Sequence, residues 1–119
     1  MDERRRFGNQ GEEEAARFLA SLGYDILDTQ WRSPFGEIDL VCLDRTEGEV
    51  VFVEVKTRQS LGSGYPEDSV TPQKLRHLEA SAECFLEERN WSERLYRFDV
   101  IAISTLPGEQ YNLVHLKGV

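Results

Sequence analysis

A glutamate and a lysine, Glu54 and Lys56, stand two residues apart inside Val50-Val51-Phe52-Val53-Glu54-Val55-Lys56-Thr57, an otherwise apolar run rich in β-formers. Side chains two apart on a strand leave it on one face. Ionised groups in a sheet interior cost several kcal/mol unless they are paired or hold a metal, so the run asks for a chemical reason. Asp39 repeats the question in Glu37-Ile38-Asp39-Leu40-Val41, where an acid sits between aliphatic neighbours. If these two segments pair as a hairpin, Asp39 and Glu54 approach each other. Two converging carboxylates repel unless a proton or a cation lies between them, and hard oxygen ligands suit magnesium or manganese. With Lys56 beside them, the set suits phosphodiester hydrolysis: a metal polarises the phosphoryl group and activates water, and the ammonium orients that water or stabilises developing charge. The competing reading is an ion pair of Lys56 with Asp39 or Glu54 at a sheet edge.

The elements that must position these residues follow from periodicity. Phe7, Gly11, Ala15, Phe18, Leu19 and Leu22 recur at steps of three and four and predict a helix that Gly23 stops. Tyr24 to Trp31 reads as a strand, and Ser33-Pro34-Phe35-Gly36 as a turn. Strands Glu37 to Leu43 and Val50 to Thr57 follow, joined by the polar connection Asp44 to Glu49. A loop from Ser60 to Ser69 leads to Thr71-Pro72, an N-cap followed by proline at the first helical position. That helix runs to about Arg89 with Leu75, Leu78, Ala82, Phe85 and Leu86 as its buried stripe. Arg97 to Ser104 is a further strand, and Tyr111 to Lys117 an edge strand after Pro107-Gly108.

Composition bounds the function classes. The 119 residues, 39% hydrophobic and 30% charged, fit one folded domain spanning 1–119. No apolar run approaches the roughly 20 residues that span a bilayer, and the charged start Met1 to Arg6 has no secretory pattern, so a cytoplasmic protein with no membrane partner is expected. Cys42 and Cys84 have no metal-binding or redox spacing and read as reduced, buried thiols. A net charge of −8 opposes nonspecific attraction to nucleic acid, so any nucleic-acid face must be local. Its candidate groups are Arg4, Arg5, Arg6, Arg32, Lys56, Arg58, Lys74, Arg76 and His77.

Gly36-Glu37-Ile38-Asp39-Leu40 followed by Val53-Glu54-Val55-Lys56 resembles the D-x(n)-E-x-K signature of the PD-(D/E)xK nucleases. With Gly11-Glu12, Gly23-Tyr24-Asp25-Ile26-Leu27, the extension to Arg58, and Arg97-Phe98-Asp99-Val100-Ile101, nearly the whole chain resembles the small bacterial YraN-like proteins, themselves similar to archaeal Holliday junction resolvases. The resemblance implies an α/β fold, a restriction-endonuclease-like αβββαβ core with a central mixed sheet flanked by helices. It also implies metal ligands at Asp39 and Glu54, Lys56 as the base-like catalytic group, and Glu12 contributing from the first helix. By itself Glu12 belongs to an acidic run near a helix start, where the macrodipole favours negative charge. Lys74 resembles a lysine at this place in the family; a phosphate contact and a solvated lysine are both open readings. Trp31, Arg32 and Phe35 form the loop entering the hairpin, and could stack on bases, although Trp31 is better suited to anchoring the core. Glu37 and Asp99 read as structural acids, and His77 and His115 as surface or packing residues. The expected function is a magnesium- or manganese-dependent DNA endonuclease, acting on branched or distorted DNA as a homodimer. The rival expectation is a noncatalytic module that binds nucleic acid or a protein partner, or an adaptor whose acids are only ion-paired.

Overall fold

The computed structural model describes residues 9–58, 70–104 and 112–119. Its elements are α1 (Gln10–Ser21), β1 (Asp25–Ser33), β2 (Gly36–Asp44), β3 (Glu49–Arg58), α2 (Pro72–Glu88), β4 (Tyr96–Ser104) and β5 (Asn112–Leu116). The expected order of helix, three strands, helix and two strands holds. The expected helix start at Phe7, the 60–69 loop, Pro107-Gly108 and Tyr111 lie outside the described residues.

Local chemistry sets the helix ends. Asn9 caps α1 by accepting the Glu12 amide at 2.9 Å, and the chain leaves the helix through Gly23 at φ +93°, a left-handed conformation glycine adopts without penalty. Thr71 caps α2 by accepting the Lys74 amide at 3.1 Å, with Pro72 in the first turn, as the sequence predicts.

The strands form one mixed sheet in the order β1-β2-β3-β4-β5, with β3 and β4 parallel and the other neighbours antiparallel. A parallel neighbour needs a crossover, and α2 supplies it. Each helix covers one face. Ala15, Ala16 and Leu19 of α1 pack on Leu40, Cys42, Val51, Val53, Ile101 and Ile103. Leu78, Ala82, Phe85 and Leu86 of α2 pack on Ile38, Val41, Val50, Phe52 and Phe98. Strand β3 is covered on both sides, which is why it reads as an almost unbroken apolar run.

Two expectations about the first hairpin change. Trp31 and Arg32 lie within β1, not in a loop, because pairing continues through Trp31↔Ile38, Arg32↔Glu37 and Ser33↔Gly36. The Trp31 ring packs edge-on to Phe85 at 5.4 Å between centroids, so it anchors the core. Only Pro34 and Phe35 form the turn between the strands, held by the Ser33 hydroxyl, which accepts the Phe35 amide and sits 2.8 Å from the Ser81 hydroxyl of α2. Cys42 is buried, as expected, whereas Cys84, expected to be buried too, is only half-buried on α2; neither forms a disulfide.

Candidate functional site

The ladder between β2 and β3 runs from Asp44↔Glu49 to Leu40↔Val53 and stops there. Beyond it β2 stays paired to β1, and β3 to β4 as far as Arg58↔Ser104. The sheet therefore opens where the next rung would join Asp39 to Glu54. Into this opening the Asp39 carboxylate turns sideways and accepts the Val55 amide at 2.8 Å, replacing the lost backbone bond. Glu54 and Lys56 leave β3 on the Phe52 side, which faces α2. From the first turn of that helix Lys74 places Nζ 2.5 Å from Glu54 Oε2, and Lys56 Nζ lies 3.7 Å from the same oxygen. The Glu54 side chain is 11% exposed, whereas Lys56 and Lys74 reach solvent with about a third of their surface, 34% and 35%.

The opposite face contributes Glu12, buried at 5% exposure, whose carboxyl is hydrogen-bonded to that of Asp39. Its neighbour Gly11 makes this approach feasible. A Cβ at Gly11 would lie 2.3 Å from Thr57 Oγ1, so α1 can touch the end of β3 only where no side chain intervenes.

These surroundings raise the Asp39 pKa from its ordinary value to about 7. Burial is the main cause; the Val55 amide works against it, and the negative charges of Glu54 and Glu12 add to it. Two hydrogen-bonded carboxyls need a proton between them or a cation beside them. Glu12, Asp39 and Glu54 make an all-oxygen donor set of the kind magnesium and manganese take, so residue type and local charge fit a divalent cation. Their present arrangement is not a closed cage: among the described residues no three acids, histidines or cysteines already surround one point, and Glu54 is engaged by Lys74.

Known proteins place the chain among relatives. A family model described as "Uncharacterised protein family UPF0102" matches residues 11–103. The chain belongs to this family. The UPF0102 protein of Caldicellulosiruptor saccharolyticus is 43% identical over 100 residues, covering 84% of this chain and 83% of the relative. That of Rhodococcus opacus is 44% identical over 113 residues, covering 92% of each. The resemblance to YraN-like proteins read from the sequence is this same UPF0102 relationship. Among solved structures, one described as "Structure of EndoMS-dsDNA2 complex" gives a TM-score of 0.42 at 17% identity, over 89% of this chain and 41% of that one.

The matched UPF0102 span contains Glu12, Asp39, Glu54, Lys56 and Lys74, which the fold brings to one opening. Arg32 is not among them: it is 81% exposed and pairs with Glu37 at 3.4 Å on the surface. Arg58 closes β3, and its side chain, like Arg4, Arg5 and Arg6, lies outside the described residues. Arg76 and His77 are exposed on α2. Asp99 is structural as expected, and His115 packs edge-on against Phe18 while its Nε2 lies 2.8 Å from Asp99. Sequence reasoning missed the Lys74–Glu54 pair, whose members are 20 residues apart, and placed Gly11 in an apolar stripe when its role is close approach. The pattern Gly11-Glu12, a residue without a side chain next to an acid, is the signal that could have shown it.

Proposed function

We propose that this UPF0102 chain is a divalent-metal-dependent DNA endonuclease that hydrolyses phosphodiester bonds in branched DNA of the Holliday-junction kind. The observation that carries the reading is the opening between β2 and β3, where Asp39 and Glu54 converge beside Glu12 with two ammonium groups at the rim. Asp39 and Glu54 are the proposed metal ligands, with Glu12 as an outer ligand or water-positioning group. When bound, magnesium or manganese supplies Lewis-acid polarisation of a phosphoryl group and activation of a water. Lys56, a third exposed and next to Glu54, orients the attacking water and stabilises charge developing on the phosphate. Lys74 offers a second point charge for a phosphate oxygen.

Arg32 and Arg58 belong to the same end of the sheet, because β2 begins where β3 ends in an antiparallel pair. They are proposed to contact the DNA backbone, a local basic rim on a chain whose net charge is −8. A junction presents two symmetric scissile strands, which a homodimer of this domain would match. A cytoplasmic location, where DNA is within reach, goes with this activity, and among the described residues no helix is long and apolar enough to cross a membrane.

The second reading, a noncatalytic module for nucleic acid or a protein partner, has one observation in its favour: Glu54 is already neutralised by Lys74. Cleavage of a four-way junction and of a linear duplex, in magnesium, in manganese and in EDTA, separates the two. The endonuclease reading expects metal-dependent cutting of the junction that Asp39→Ala and Glu54→Ala abolish while both variants stay folded. Junction binding unchanged by EDTA, with no cutting in either metal, would establish the noncatalytic module.

A further inference from the structure

Residues two apart on a regular strand share a face of the sheet. Between β1 and β2 that rule fails at the register shift between Ile26 and Asp28, and again, with no shift of register, at one rung farther along. Thr29 pairs with Leu40 and Trp31 with Ile38. Leu40 belongs to the core under α1, whereas Ile38 and Trp31 belong to the core under α2. Both strands thus turn over within a single rung, the one at which Gln30 stands opposite Asp39, and the register resumes beyond it unchanged.

Gln30 has φ +51°, in the left-handed region; among the described residues the only other non-glycine at positive φ is Asn90, just past the end of α2. A left-handed residue inside a strand locally interrupts the regular ladder, as at a glycine-type β-bulge, and it is across Gln30 that the alternation breaks between Thr29 and Trp31. On β2 the matching change falls at Asp39. On a regular rung an aspartate would stand perpendicular to the sheet, away from the backbone of the next strand. At the turned-over rung the carboxylate lies along the sheet, and it reaches the Val55 amide of β3 at 2.8 Å.

The geometry points to Gln30 as the positioning residue for Asp39: its left-handed backbone lets β1 follow the twist in β2 that aims the carboxylate into the opening. The functional consequence rests on the reading of Asp39 as a metal ligand; the geometric part does not. Backbone conformation, not the amide group of Gln30, carries the effect, so residues tolerant of left-handed φ preserve it and β-branched residues oppose it.

The test is amide hydrogen exchange at Val55 in metal-free protein, together with manganese binding by calorimetry and the unfolding midpoint, for wild type, Gln30→Gly, Gln30→Asn and Gln30→Val. Asp39→Ala calibrates the exchange rate without the bond. The glycine and asparagine variants are expected to stay within about twofold of wild type in exchange and affinity, and the valine variant to exchange Val55 and release manganese about tenfold more readily. If Gln30→Val does not fold, Gln30→Thr is the milder β-branched variant for the same comparison. A folded β-branched variant with wild-type Val55 exchange would overturn the proposal, whatever its midpoint. Failure of the wild type to bind manganese would remove the metal-ligand reading, while the Val55 difference would still establish the positioning.

Discussion

Strands β2 and β3 carry buried charge at both ends of their pairing, and the two ends differ in how that charge is met. Where pairing begins, at Asp44↔Glu49, Arg97 enters from β4. Its guanidinium bonds Asp44 at 3.0 Å, Glu49 at 2.7 Å and Asp99 at 2.9 Å, and donates to the Tyr24 hydroxyl at 2.7 Å. Asp99 also accepts the Gly118 amide at 3.0 Å, and Asp44 accepts those of Thr46 and Glu47. Burial alone would raise both acids, yet the His115 ring, Arg97 and the Gly118 amide hold Asp99, and Arg97 with the Glu47 and Thr46 amides holds Asp44, below the usual carboxylate range. Burial would likewise lower Arg97, and its three carboxylates keep it above its ordinary value. At the far end, where pairing stops, Glu54 is met by Lys74 and Lys56, but Asp39 has one amide and two other acids, and it rises to about 7. Charge that holds the fold together is saturated with partners; charge left wanting a cation marks the candidate site.

The strongest way to break this contrast is to open the saturated end. Arg97→Ala strands three acids in a pocket where the arginine side chain is 12% exposed, and should cost about 3–5 kcal/mol in urea unfolding. A loss below about 1 kcal/mol would place this cluster with ordinary surface pairs. At the other end Gly11→Ala should cost about 1–3 kcal/mol, because the new methyl must displace Thr57. It should also weaken manganese binding by moving Glu12, whereas Arg97→Ala, in protein that remains folded, should leave manganese affinity unchanged.

A further contrast is in pH and has opposite signs at the two ends. Asp44 and Asp99 have folded-state values below the unfolded value of about 3.9, so their contribution is fully present above about pH 4 and is lost as pH falls through the folded values. For Asp39 the folded value of about 7 stands above the unfolded one; the folded state prefers the proton, and stability of the metal-free protein falls as pH rises towards 7. Asp39→Asn should flatten the neutral limb of the stability profile in EDTA and spare the acid limb. Arg97→Ala should make the acid limb shallower and spare the neutral one. Profiles that the two variants alter identically would dissolve the distinction.

Much of this was legible in the amino-acid sequence, for definite reasons. Glu54, Lys56 and Asp39 stand out because a charge inside an apolar strand contradicts its surroundings, and Thr71-Pro72 starts a helix by chemistry contained in two residues. The charge partnerships were less legible because they are set by the fold. Arg97 meets Asp44 across 53 residues and Glu49 across 48, and Lys74 meets Glu54 across 20. Gln30 gave no sign, since glutamine has no marked left-handed preference and strict alternation carries the reader straight through β1. Reading Trp31 and Arg32 as loop residues followed from Pro34, whose turn is two residues long and lets pairing run to Ser33.

The most direct measurement is calorimetric titration of manganese into metal-free wild type and into Asp39→Ala. The account predicts binding to the wild type and its loss in a variant that remains folded. Equal binding by both proteins, or none by a folded wild type, would contradict the assignment of the opening between β2 and β3 as a metal site.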